Sequence, residues 1–195
     1  MTATAYRRTA PTDVPILDVL AERWSTRVFD SEAAIDEQAL ASALEAARWS
    51  PSASNTQPWR FIVARRGSDA FEAVHRALRG FNKEWTGAAS ALIVSVAETV
   101  DDQGRPRNSA VYDVGQAAAH FTVQAHAEGL HTHQMGGFDA AIISEAFTLD
   151  ARFVPLTVMA VGTLGDIDAV SDELRDRELT PRARRPLVDS LLVDA

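Results

Sequence analysis

Apolar residues recur along this chain with two periods, and the switches between them mark out its elements. Val14, Leu17, Leu20 or Ala21, and Trp24 repeat every three or four positions, which predicts an amphipathic helix. Thr12 or Asp13 is its candidate cap, and Pro15 is tolerated in a first turn. Arg27-Val28-Phe29 reads as extended. Leu40, Leu44 and Ala47 line one face of a second helix, with Asp36 as N-cap and Ile35 and Leu40 placed as a hydrophobic staple. Ser50-Pro51 ends that helix, because a residue before proline avoids the α region. After a polar loop, Trp59 to Ala64 reads as a buried strand and Ala91 to Ala97 as a second. Between them Phe71, Val74 and Leu78 predict a helix from Ser68 to about Arg79.

Asp101 to Asn108 is polar and reads as a loop. The longest helix is expected from about Ser109 to Glu128, with Val111, Val114, Ala118, Phe121 and Ala125 inward and Gly129 as its stop. Gly136-Gly137 reads as a turn, Ala140 to Phe147 as a short helix, and Val154 to Gly162 as a third strand. Thr180 to Leu191 is an arginine-rich tail. Helices alternate with strands without repeats or a long linker, so one α/β or α+β domain is expected over residues 12–195 after a flexible lead of residues 1–11. Strand order does not follow from the pattern.

Composition narrows the chemistry. The 195 residues contain no cysteine, which excludes disulfides, thiolate metal sites and thiol nucleophiles, and suits a cytoplasmic protein. A net charge of −8 argues against general binding to nucleic acid or an anionic membrane, and no apolar stretch is long enough for a spanning helix. The lead lacks the apolar run of a secretory signal. There is no Gly-x-Gly-x-x-Gly, no P-loop and no nucleophile elbow. His131 and His133 would share one side of an extended segment, but without further ligands nearby they read as ordinary histidines and no metal site is expected.

Four groups of residues remain. In Arg23-Trp24-Ser25-Thr26-Arg27, two guanidiniums flank a hydroxyl, and arginine can grip a phosphate with paired charge-assisted bonds. The same residues read equally as cations favoured at a helix C-terminus. The loop Pro51-Ser52-Ala53-Ser54-Asn55-Thr56-Gln57-Pro58 offers the mixed donors and acceptors that a heteroaromatic ring needs, or is a plain connection. Its prolines bracket it and lead directly into a strand. Pro181-Arg182-Ala183-Arg184-Arg185-Pro186 is extended, with Arg182 and Arg184 on one side, as a second clamp or a solvated tail. Gly136-Gly137-Phe138-Asp139 lets backbone approach a ligand closely, or simply turns.

Taken in order, these stretches resemble the FMN-dependent nitroreductase family. The resemblance rests on Ala21 to Arg27, on Trp49 to Val63 above all, and on Gly136 to Asp139, with the arginine tail in the family's basic position. It spans essentially the chain after residue 12. It implies an α+β nitroreductase-like fold, a central, mostly antiparallel sheet wrapped by helices in an intertwined homodimer, with FMN held between subunits. On this basis Arg23, Ser25 and Arg27 hold the phosphate and ribityl end, with Trp24 contributing chiefly backbone, and Arg182 and Arg184 join from the tail. Pro51, Ser52, Ala53, Ser54, Asn55 and Gln57 form the loop that flanks the ring from the partner. Asn82 reaches the pyrimidine edge, and Gly136 and Gly137 lie beside the redox centre.

The implied activity is ping-pong hydride transfer from NADH or NADPH to a nitroaromatic, quinone or similar small-molecule acceptor, without a named acid–base residue. Trp85 departs from the family, standing where some members place a lysine. With Phe81 and Phe138 it raises the alternative of a flavin-binding or flavin-storing protein whose pocket is blocked; a relative with another flavin-dependent reaction is a further alternative.

Overall fold

The computed structural model describes residue 6 and residues 8–193; residues 1–5 and 7 of the expected lead, and 194 and 195, lie outside the described residues. Four antiparallel strands form one sheet in the order β1-β2-β4-β3. They are β1 (Trp59–Arg65), β2 (Ala91–Glu98), β3 (His131–Met135) and β4 (Phe153–Gly162). Seven helices are present among the described residues: α1 (Asp18–Glu22), α2 (Glu37–Arg48), α3 (Asp69–Ala77), α4 (Asn82–Trp85), α5 (Ala110–Ala127), α6 (Ala140–Ala146) and α7 (Asp172–Leu179). None is long and apolar enough to cross a membrane.

The strand period explains why both faces of the sheet are covered. Every residue of the central strand β2 is buried. Ile93 of β2 faces a cluster with Met159 and Val161 of β4, Leu40 and Ala43 of α2, and Val114 and Phe121 of α5. Its neighbours Leu92 and Val94 face Val158 and Ala160, Phe71 and Val74 of α3, and Ile143 of α6. Successive side chains point to opposite faces, so one continuous apolar strand serves two cores. The sheet is therefore sandwiched between α2/α5 and α3/α6, an α+β arrangement.

Local signals act as expected in several places. The Asp36 carboxylate accepts from the backbone N–H groups of Gln38 and Ala39 and starts α2. Gly129 takes φ 84° just past α5, a conformation that costs glycine little. Other expectations need correction. The first helix is only Asp18–Glu22, with no side-chain cap, and Val14, Leu17 and Leu20 stay exposed because no element among the described residues covers them. Val111 is exposed rather than inward. β3, with the sequence His-Thr-His-Gln-Met, and α7, with mostly charged residues, carry no apolar period that would announce them.

Candidate functional site

Ser25 makes a parallel bridge to Thr132, which lays the Arg23–Arg27 segment along the outer side of β3. The tail returns to the same place. The Arg182 guanidinium donates to the carbonyl oxygen of Ala21 at 2.8 Å and also to that of Arg8. Arg8 in turn donates to the Thr180 carbonyl, so the described part of the lead is tied to the tail. Arg8, Arg23, Arg182 and Arg184 consequently form one set of like charges, with Arg27 at its side.

The electrostatics of this set are unusual for an acidic protein. Burial lowers the Arg23 guanidinium pKa, and Arg184 adds to the effect. Burial also lowers that of Arg182, followed by the charges of Arg23, Arg8 and Arg184. For Arg27 burial again dominates, partly opposed by Glu178. Among the described residues none of Arg23, Arg27, Arg182 and Arg184 is ion-paired with a carboxylate, whereas Arg48, Arg60, Arg65, Arg79, Arg105, Arg107, Arg152, Arg175 and Arg177 all are. Half-buried Arg23, Arg27 and Arg182 and exposed Arg184, none ion-paired with a described carboxylate, lie beside the exposed Ser25 hydroxyl and suit a multiply charged anion such as a phosphate.

β3 leads from this cluster to the paired glycines. Gly136 and Gly137 follow Met135 directly and are exposed. The Asn82 amide lies over Gly137, with Nδ2 donating to the Gly137 carbonyl at 3.4 Å. A Cβ at Gly137 would stand 2.9 Å from that nitrogen, so only glycine leaves this approach open. One edge of the molecule thus carries arginines, a hydroxyl, exposed backbone and a carboxamide in sequence, a donor set that matches a long ligand with a phosphate at one end.

The polar loop is elsewhere. Through the strand register Thr132 pairs with Val161, Val161 with Ala91, and Ala91 with Arg65. The loop ends at Trp59, at the other end of β1 from Arg65. It is therefore at the opposite corner of the sheet, about 14 Å across three strand spacings and about 20 Å along the strand. Pro51, Ala53, Ser54, Asn55 and Gln57 are exposed and Ser52 partly so. Ser54, Asn55 and Gln57 have φ of 51°, 55° and 47°, a strained run for residues with side chains. It is held from below: the Asp113 carboxylate of α5 accepts from the Ala53 N–H at 3.1 Å, Ser52 Oγ accepts from the Gln57 N–H, and Arg107 donates to the Thr56 carbonyl. A cleft of about 400 Å³ separates Ala53, Ser54 and Thr56 from the Asp101–Ala110 segment.

Three residues expected at the site prove to be packed. Trp85 is 2 % exposed, stacked on Phe29 at 6.1 Å and against His133 at 4.7 Å, so its ring fills the core. The Trp24 ring is buried, with Nε1 donating to Glu178 at 2.6 Å, which leaves only its backbone toward the arginines. Phe81 is covered by the Arg177 guanidinium at 4.1 Å. His131 packs on Trp24 and His126, and burial, then His126, pull its pKa down to about 4. His133 is likewise lowered by burial, and its Nδ1 contacts the Thr26 carbonyl at 2.9 Å. Glu178, Tyr6, Arg8 and Asp113 were missed from sequence, since only contacts across long stretches of chain bring them here.

The match to known proteins follows these contours. The profile of the nitroreductase family covers residues 20–80 and 68–163. The chain belongs to the nitroreductase family. An uncharacterised protein of Mycolicibacterium smegmatis is 37 % identical over 66 % of this chain and 90 % of its own length. The oxygen-insensitive NAD(P)H nitroreductase of Enterobacter cloacae is 26 % identical, covering 88 % of this chain and 96 % of its own. A crystal structure of an oxidoreductase containing FMN superposes with a TM-score of 0.87 at 33 % identity, over 94 % of this chain and 93 % of that one. The fold of this nitroreductase-family chain is therefore the expected one.

Proposed function

We propose that this protein is an FMN-dependent NAD(P)H oxidoreductase that reduces nitroaromatics, quinones or similar electron-poor small molecules, and that it does so as a homodimer. The observation that carries the reading is the unneutralised guanidinium cluster at one end of β3, with Gly136, Gly137 and Asn82 at the other. When bound, FMN supplies two-electron redox chemistry, with NADH or NADPH as donor and the acceptor following in the same place, the ping-pong order. Arg23, Arg27, Arg182 and Arg184 bind its phosphate, and the Ser25 hydroxyl adds a neutral donor. The backbone at Gly136 and Gly137 and the Asn82 amide orient the ring. The family likeness, the FMN of the superposed oxidoreductase and the NAD(P)H named for the Enterobacter cloacae relative support this reading.

The dimer is supported by the diagonal separation described above. Pro51, Ser52, Ala53, Ser54, Asn55 and Gln57 are too far from the arginines of their own chain to share one ligand with them, so the loop serves the ring bound by a second chain. Exposed Val111 and Tyr112, with Gly115 and Ala119 one and two turns on along α5, give that second chain an apolar seat. Burial of Trp85 removes the support for a blocked, storage-only pocket.

The test is the visible spectrum of the purified protein, followed by NADPH. A yellow protein that bleaches with NADPH and recovers with a quinone is expected, with parallel double-reciprocal plots. A protein that stays colourless when incubated with FMN overturns the reading, and one that binds FMN without bleaching by NADPH or NADH overturns the oxidoreductase part.

A further inference from the structure

Glu178 is fully buried on α7, and its carboxylate has no guanidinium or ammonium ion-paired with it among the described residues. Three neutral donors converge on it instead. Tyr6 O–H donates to Oε1 at 2.9 Å, Trp24 Nε1–H to the same oxygen at 2.6 Å, and the Arg27 backbone N–H to Oε2 at 2.8 Å. A buried charge held this way is costly, and a well-packed apolar side chain would often serve stability better. Its position explains what it supplies. One bond reaches the lead that carries Arg8, two reach the segment that carries Arg23 and Arg27, and Glu178 itself lies at the end of α7, four residues before Arg182 in the tail that also carries Arg184. These are the three stretches of chain that bear the like-charged guanidiniums. They repel one another until an anion arrives, so something must hold their backbones in place.

We propose that Glu178 is the positioning residue of the phosphate site: its two carboxylate oxygens gather the lead, the Arg23–Arg27 segment and the tail so that their guanidiniums converge on the ligand. It does not touch the phosphate, because both oxygens are already taken by donors of this chain. The proposal rests on the FMN reading and adds a residue outside the Arg/Ser cluster to it. Glu178→Gln keeps the volume but turns an N–H₂ either toward the Arg27 N–H or toward the Trp24 Nε1–H and Tyr6 O–H together, leaving at least one donor unsatisfied.

The readout is affinity for two ligands that differ only at the phosphate. Deflavinated full-length protein is titrated with FMN and with riboflavin by fluorescence quenching, with far-UV circular dichroism to check folding. Wild type is expected to prefer FMN. In Glu178→Gln, FMN affinity should fall on the order of tenfold, the scale of losing one hydrogen bond to a charged group, while riboflavin affinity changes less than twofold or so. A purely structural role lowers the melting temperature but leaves the FMN-to-riboflavin ratio where it was, and that result overturns the proposal. If Glu178→Gln does not fold, Trp24→Phe deletes a single donor and keeps the carboxylate. A smaller fall in the same ratio is expected, and an unchanged ratio overturns the proposal. A wild-type protein that binds FMN and riboflavin equally fails differently: it removes the phosphate reading itself, and the role of Glu178 with it.

Discussion

The arginines near β3 and the histidines on it behave in opposite ways, and each gives a measurement. Arg27→Ala or Arg23→Ala removes a guanidinium that no described carboxylate ion-pairs, so FMN affinity should fall about ten- to a hundredfold while the fold persists. Full flavin occupancy in both purified variants would sink the phosphate assignment. His131 is partly buried against Trp24, with a folded pKa of about 4 against an ordinary 6.5. The unfolded chain therefore binds more protons than the folded one between those values, so stability rises with pH through that window and is lost as pH falls from 6.5 toward 4. The loss should reach roughly 2 kcal/mol, and melting temperatures of wild type and His131→Asn across this range check it. The variant should show the flatter profile. Sequence showed which residues of these groups carry chemistry, but not their company. Arg23, Arg182 and Arg184 are far apart in the chain, and only the returning tail makes them one cluster. Glu178 lies 154 residues from Trp24, with no local signal to join them.

Elements whose burial is apolar were readable, and those held by polar contacts were not. β2 is an unbroken apolar run because both its faces are covered, and α2 carries cap, staple and apolar stripe together. Asp36→Ala should accordingly lower stability by about 1 kcal/mol, seen as a lower urea midpoint with an unchanged m-value. An unaltered midpoint would mean that tertiary packing alone holds the start of α2. In contrast, α7 buries a glutamate, and β3 alternates histidine with polar residues, so hydrophobic periodicity has nothing to report. The first helix failed in the opposite sense. Its apolar stripe is real, yet Val14, Leu17 and Leu20 have no cover among the described residues, and only the short stretch Asp18–Glu22 coils. The Ser50-Pro51 break and the loop after it were readable, but not the left-handed backbone of Ser54, Asn55 and Gln57.

For the molecule as a whole, the proposed dimer draws on apolar surface exposed on α5 and at the end of α2. Tyr112 is 70 % exposed and Trp49 73 %, alongside Val111 at 57 %. A charge placed there would be buried unpaired in the dimer. Tyr112→Glu should raise the dimer dissociation constant at least tenfold or so by sedimentation, and flavin should be lost in step. A variant that stays dimeric at low concentration would show that α5 is not the seat. Alternating elements narrowed the architecture to α/β or α+β, and the family resemblance implied α+β, while the order β1-β2-β4-β3 did not follow, because antiparallel neighbours far apart in sequence leave no trace in composition.

The placement of the loop and the arginines at opposite corners of one sheet has a genetic consequence. In the proposed homodimer each pocket would be a joint product of two polypeptides, one giving the clamp and the other the ring-flanking loop. A chain altered at the clamp, Arg27→Ala, and a chain altered at the loop, Asn55→Ala, should each retain little flavin as pure dimers. Co-expressed, they pair at random, and about half of the dimers are mixed. Every mixed dimer combines the sound clamp of one parent with the sound loop of the other in one pocket, and collects both lesions in the second. Two defective alleles should thus restore about a quarter of the wild-type flavin content, measured on the purified mixture. Recovery no greater than the average of the two parents would place both half-sites on the same chain.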